Sequence, residues 1–417
     1  MNFFHYRSGE LHCEEVSVER IADEVGTPFY LYSASTIERH VKVFTGAFSQ
    51  VNHLLCFSVK ANSNLAVLKL MADSGAGADI VSGGELFRAL KAGIPPERIV
   101  FSGVGKTGGE IRYALESEIL MFNVESEGEL HVLNQTARSL GKTAPIAFRV
   151  NPDVDPKTHP YISTGLKKNK FGIPVTEALS LYRQAAGMDG IDVIGIDCHI
   201  GSQLTTSDPF GEAVRRLMDL VNRIEKEGIH IRYVDVGGGL GITYDTESPP
   251  LPSDYARTIL EAMGSGDRTL ILEPGRVIVG NAGILVTRVL YRKKGASRNF
   301  VIVDAGMNDL IRPSLYDAYQ EVVAVRKSDR EEELADVVGP ICESSDFLGR
   351  DLMLQSPEAG ELLAVMSAGA YGFPMSSQYN SRPRVAEVMV RDDRFEVVRK
   401  RETYEDLVRE EKVFHEQ

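Results

Sequence analysis

The sequence has no uninterrupted apolar run of the roughly 18 residues that a membrane helix needs, although 43% of its 417 residues are apolar. It lacks a basic excess as well. Against 46 Lys+Arg stand 59 Asp+Glu, a formal net charge of −13, whereas phosphate backbones and anionic lipids both require a basic face. Neither nucleic acid nor membrane is therefore expected as a partner, although local arginines can still hold an anionic small molecule. Cysteine is scarce and scattered: Cys13, Cys56, Cys198 and Cys342 form no CxxC pair, which argues against both a zinc site and a disulfide framework. Three of these, Cys13, Cys56 and Cys198, are expected as core thiols. Two further absences are local. The start, Met1 to Arg7, has no basic stretch followed by a continuous apolar one, so a cytoplasmic location is expected. No internal repeat or low-complexity segment interrupts the chain.

What is present is a rhythm of apolar runs. Eight strand-like segments lie near 53–59, 78–82, 98–102, 121–124, 146–150, 193–199, 232–236 and 269–273, most followed by a helical stretch. Between Asp208 and Gly228, Pro209 suits a first turn, Ala213, Leu217, Leu220, Val221 and Ile224 form one apolar face, and Gly228 marks the stop. Eight strands alternating with helices over about 250 residues is the arithmetic of a (β/α)8 barrel of the TIM type, with a doubly wound open sheet as the competing fold. Beyond about residue 281 the helical periods vanish. The runs 284–290, 300–303, 321–325, 362–366, 385–390 and 395–398 read as mainly antiparallel strands of a second, β domain. The expected division is 1–32, a segment packing on the β domain, then 33–281, the barrel, then 282–417. A long Pro/Lys-rich stretch, Asn151 to Gly172, reads either as a lid or as a surface excursion.

A barrel assembles its site from the C-terminal ends of its strands, and that rule gathers otherwise scattered residues. Lys60 ends the first strand, where a desolvated amine can form a Schiff base. His199 to Gln203 ends the sixth, Gly237 to Gly241 the seventh, and Glu273-Pro274-Gly275-Arg276 the eighth. Strands eight and one are neighbours in a closed barrel, so Glu273 is expected to face Lys60. Taken singly, each has a plain alternative: a solvated lysine, a tight turn, a core histidine. The glycines do not have GxGxxG spacing, Gly103 to Thr107 is an incomplete Walker loop, and no HExxH supports a metal. Together, an amine, a carboxyl that can pair with a ring nitrogen, an imidazole that can stack and glycines that can cradle a phosphate describe a site for pyridoxal 5′-phosphate.

At this point the chain resembles the diaminopimelate decarboxylase family, one of the barrel-type pyridoxal-phosphate decarboxylases alongside ornithine and arginine decarboxylases. The likeness runs almost end to end. It includes Phe57 to Asn62, His159 to Gly165, Lys170 to Gly172, Cys198 to Gln203, the glycine run, Glu273 to Arg276, Asn308 to Tyr316, Gly339 to Ser344 and Gly369 to Gly372. The resemblance implies that Lys60 carries the cofactor, that His199 stacks on its ring, and that Glu273 pairs with the ring nitrogen. Ser202, Gly238, Gly239, Gly275, Arg276 and Tyr371 would hold the phosphate. Arg276, Arg312, Tyr316, Glu343 and Tyr371 would bind substrate, and Cys342 would be the acid that reprotonates carbon. It further implies decarboxylation of meso-2,6-diaminopimelate to L-lysine by a cytoplasmic homodimer in which the Cys342–Glu343 loop enters the neighbouring subunit's site. Another basic amino-acid or carboxynorspermidine decarboxylase is the alternative within the fold. A catalytically dead regulator that keeps the fold is the alternative outside enzymology.

Overall fold

The computed structural model describes residues 2–154, 170–296 and 298–414. Two compact units divide the chain, Glu38–Ile278 and Met1–Ile37 together with Val279–Gln417. The first is a closed barrel of parallel strands: β1 His53–Ser58, β2 Gly77–Ile80, β3 Ile99–Phe101, β4 Met121–Val124, β5 Ala144–Asn151, β6 Ile191–Asp197, β7 Tyr233–Asp235 and β8 Thr269–Leu272. Closure is made by β8 pairing with β1, with Leu272 opposite Leu55. The barrel, not the open sheet, is the fold.

Side-chain alternation along the strands explains how the barrel builds a site. Cys56, Val100, Met121, Ala147 and Ile271 are buried together in one apolar cluster. Two residues further on in each strand or just past its end, one pleat period, stand Ser58, Ser102, Asn123, Arg149 and Glu273, all buried and all polar. Strand β6 takes three steps, from Ile194 to Asp197, because its pairing with β5 shifts register between Val193 and Gly195. An apolar floor thus carries a polar layer at the C-terminal mouth. The outer helices follow their sequence pattern: Asp208–Glu225 has Pro209 in its first turn and buries Ala213, Leu217, Leu220, Val221 and Ile224. That helix ends three residues before Gly228, which then turns the chain at a φ of 81°.

The second unit is built on a mixed sheet, ordered 347–355, 332–338, 299–303, 283–294, 29–33, 386–391, 394–399, with 362–365 and 322–324 attached. The N-terminal strand Phe29–Ser33 lies inside it, antiparallel to Gly283–Val286 and parallel to Ala386–Val390. All six expected β runs are strands. Two pairings are parallel, since 299–303 also runs parallel to 332–338. Strands Glu332–Val338 and Phe347–Gln355 had no counterpart in the sequence reading. The alternation is broken in the first by exposed Leu334 and buried Asp336, and in the second by the adjacent exposed Arg350 and Asp351 and by exposed Met353.

Candidate active site

The barrel mouth begins at Lys60, in a 3-10 turn, Val59–Ala61, directly after β1. A carboxylate in contact with its amine is Asp79 on β2, with Oδ2 2.7 Å from Nζ. Asp79 is fully buried, whereas the lysine side chain keeps 39% of its surface accessible, so the amine can be reached from the mouth. Ser58 Oγ lies 2.8 Å from Asp79 Oδ2 and 3.0 Å from Glu273 O, joining β1 to its neighbours on both sides.

Glu273 sits on the far side of that serine among other acids. Oxygens of Asp197, Asp235 and Glu273 all lie within 4.8 Å of one another. Asn123 Nδ2 lies 3.3 Å from Asp235 Oδ2 and 3.4 Å from Glu273 Oε1. Burial, and after it the charge of Asp235, raises the Glu273 carboxyl well above the ordinary range. Burial, and then Asp197, does the same to Asp235, and burial, then Glu273, to Asp197. Burial and mutual repulsion thus favour the protonated form across this group. Nearby, Arg149 is consumed by Glu125, Nη1 to Oε1 2.9 Å.

Three turns pack tightly above this layer. Gly238 N donates to His199 Nδ1 at 3.2 Å, which leaves the ring proton of a neutral imidazole on Nε2. Burial, with Arg149 and Lys60 adding to it, lowers the His199 pKa well below the ordinary value, so the ring is neutral. Gly237 N donates to Asp235 Oδ1 at 2.9 Å, tying the glycine turn to the acid cluster. At Gly238 a Cβ would fall 2.1 Å from Glu273 O, and at Gly239, where φ is 112°, 2.2 Å from Gly201 O. Only glycine fits either place. Arg276, one residue past the buried Gly275, donates to Tyr244 Oη at 2.6 Å and to Ser202 Oγ at 3.1 Å. The rejected Walker-like segment has a structural use: Lys106 Nζ donates to Gly103 O, Asn123 O and Glu129 Oε1.

The remaining expected residues belong to the β unit. Arg312 opens the short helix Arg312–Tyr316 and is buried, and Gln320, in the amide orientation that satisfies both groups, accepts from its Nη1. Tyr316 is half-buried, and Tyr371 has a φ of 55° between Gly369 and Gly372. Cys342 and Glu343 share one exposed turn between strands 332–338 and 347–355. Cys342 is an exposed free thiol, while Cys13, Cys56 and Cys198 are buried. Of the stretch 151–172, residues 155–169, with the motif His159 to Gly165, lie outside the described residues. Gly172 is held by Glu125, whose Oε2 accepts from its N at 2.8 Å.

Residues 34–280 match the family model described as the pyridoxal binding domain of pyridoxal-dependent decarboxylases. Over 407 residues the chain is 54% identical to a diaminopimelate decarboxylase of Pseudomonas aeruginosa, covering 98% of each. It is 52% identical to one from Aquifex aeolicus, covering 97% of this chain and 96% of the relative. The chain belongs to the diaminopimelate decarboxylase family. A crystal structure of the M. jannaschii member of that family in complex with L-lysine superposes with a TM-score of 0.94 at 40% identity, covering 98% of both chains. The family's cofactor is pyridoxal phosphate, and the barrel mouth fits it. An accessible amine, a buried carboxyl and a glycine cradle closed to any Cβ suit its aldehyde, ring nitrogen and phosphate.

Sequence reasoning missed Asp79, Asn123, Asp197, Asp235 and Tyr244. The first four were legible in principle. Each is a polar residue within or ending an apolar strand that was read only as the edge of a turn.

Proposed function

We propose that the protein decarboxylates meso-2,6-diaminopimelate, releasing L-lysine and carbon dioxide, with pyridoxal 5′-phosphate as cofactor. The observation that carries this reading is identity above 50%, over nearly the whole chain, to relatives named for that reaction. When bound, the cofactor supplies an electron-poor ring that accepts the electron pair left as carbon dioxide departs. Lys60 would hold it through Nζ, with Asp79 orienting that amine. His199 would face its ring as a neutral imidazole, and Glu273 would pair with the ring nitrogen. Ser202, Gly238, Gly239, Gly275, Arg276 and Tyr371 would hold the phosphate.

Arg276, Arg312, Tyr316 and Tyr371 receive the substrate's distal carboxylate, a task suited to charge-assisted hydrogen bonds, and Glu343 holds the distal ammonium. Cys342 delivers a proton from Sγ to the carbon that has lost its carboxylate. In functional terms, residues 33–281 carry the cofactor contacts other than Tyr371, while 282–417 carries the substrate contacts other than Arg276, and 1–32 is a segment of the β domain. The working form is a homodimer in which the Cys342–Glu343 turn of one copy serves the partner's site. The exposure of that turn supports this, as does that of Leu315, Tyr319 and Tyr379. No helix among the described residues is long and apolar enough to cross a membrane. Unpaired thiols at all four cysteines support a cytoplasmic setting.

Purified protein loaded with the cofactor should convert meso-diaminopimelate to lysine and leave ornithine, arginine and lysine nearly untouched. Borohydride should fix the cofactor on the peptide containing Lys60. Ornithine turnover matching that of diaminopimelate would overturn the substrate, and an adduct on another lysine would overturn the site.

A further inference from the structure

The Cys342–Glu343 turn is tied from two directions. Its base is held by Asp346, whose Oδ2 accepts from Ile341 N at 2.6 Å. Its tip is held by two consecutive residues of a distant segment. Asn380 Oδ1 accepts from Cys342 N at 2.9 Å, and Tyr379 Oη donates to Glu343 Oε2 at 2.7 Å. Ser345 Oγ donates to the other oxygen, Oε1, at 3.0 Å. Asn380 and Ser381 both have left-handed backbones, with φ of 56° and 53°. Asparagine tolerates that region better than most residues, but the conformation still has a cost.

Tyr379, Asn380, Cys342 and Glu343 are all exposed. In the single chain, hydrogen bonds at so exposed a place contribute little to folding stability, so the folding of one chain does not explain a strained pair of residues spent on them. We propose that Tyr379 and Asn380 are positioning residues for the Cys342–Glu343 turn: Asn380 fixes the backbone from which the Cys342 thiol projects, and Tyr379 fixes the Glu343 carboxylate. This rests on the roles given above to Cys342 and Glu343. Adjacent residues on one segment thereby set the proton donor and the distal-ammonium contact together.

Steady-state kinetics of the holoenzyme on meso-diaminopimelate test it. Tyr379→Phe should raise KM about tenfold with kcat within about twofold, the lower end expected for a hydrogen bond to a charged group. Asn380→Gly keeps the left-handed backbone and removes only the acceptor, and should lower kcat about tenfold with KM nearly unchanged. Asn380→Asp retains an Oδ acceptor and should restore kcat to within about threefold of wild type. A merely structural role predicts instead a lowered melting temperature with KM and kcat drifting together, and no rescue by aspartate. Wild-type kinetics in Tyr379→Phe and Asn380→Gly, alongside impaired Cys342→Ala and Glu343→Gln, would overturn the positioning alone. Unimpaired Cys342→Ala and Glu343→Gln would overturn the site reading and the positioning with it.

Discussion

At the scale of single residues, the site depends on where charge is tolerated. Glu85 illustrates this beside the Lys60–Asp79 pair: burial, outweighing the hydrogen bond from Val81 N and the charge of Lys60, raises its pKa from 4.5 to about 7. A carboxyl raised on folding holds a proton that the unfolded chain has already released. Its contribution to stability is therefore fully present below about pH 4.5 and is lost as pH climbs through about 7. Glu85→Gln cannot titrate. Urea unfolding of both proteins should show the wild type losing roughly 1–2 kcal/mol relative to the variant between about pH 5 and 8, after discounting for solvent screening. A pH-independent difference would show that Glu85 titrates normally. Arg312 makes a second test. A buried guanidinium that reads a distal carboxylate loses its partner when the substrate is ornithine, and truncating one side of such a pair costs roughly 2–5 kcal/mol. Arg312→Ala should lose at least about tenfold in kcat/KM for diaminopimelate with the cofactor still bound. Unchanged kcat/KM would make it a structural arginine.

At the scale of elements, the eight barrel strands were legible because each is a short apolar run bounded by turns, and the strand ends already located Lys60, His199, the glycines and Glu273. What remained hidden was the polar layer. Asp79, Asn123 and Asp235 look like the ends of hydrophobic runs, and only the closing of the barrel turns them to face one another. Glu332–Val338 stayed hidden for the opposite reason, since an exposed Leu334 and a buried Asp336 break its polar–apolar alternation. Tyr379 and Asn380 have no sequence signal at all, because their partners lie over 35 residues away. The glycine turn gives a prediction at this scale. In Gly238→Ala the new Cβ would stand 2.1 Å from Glu273 O, a backbone atom that can yield only by moving the end of β8. Overpacking of this kind costs typically about 1–3 kcal/mol, and here it also spoils the cradle, so cofactor retention through gel filtration should fall at least tenfold. Gly105→Ala, with nothing within 4 Å of its Cβ, should melt and bind like wild type. Equal cofactor retention in both variants would remove Gly238 from the cofactor site.

At the scale of the whole molecule, the proposed site draws residues from both units. Lys60, His199 and Glu273 stand on Glu38–Ile278, whereas Arg312, Cys342 and Glu343 stand on the unit formed with the N-terminal strand. If each active site takes its barrel from one copy and its Cys342–Glu343 turn from the partner, two different inactive chains can complement one another. A mixed pair of Lys60→Ala and Cys342→Ala subunits has one site with neither residue and one site with both. Random pairing of equal amounts makes half the dimers mixed, each with one intact site of two, so activity should recover to about one quarter of wild type. The measurement is lysine formation after unfolding and refolding the two proteins together, with subunit exchange followed by differently tagged chains. Recovery should scale with the product of the two subunit fractions and peak at equal mixing. Exchange without any recovery would place Lys60 and Cys342 in a site built from a single chain, and the shared-site dimer would have to be abandoned while the decarboxylase reading stood.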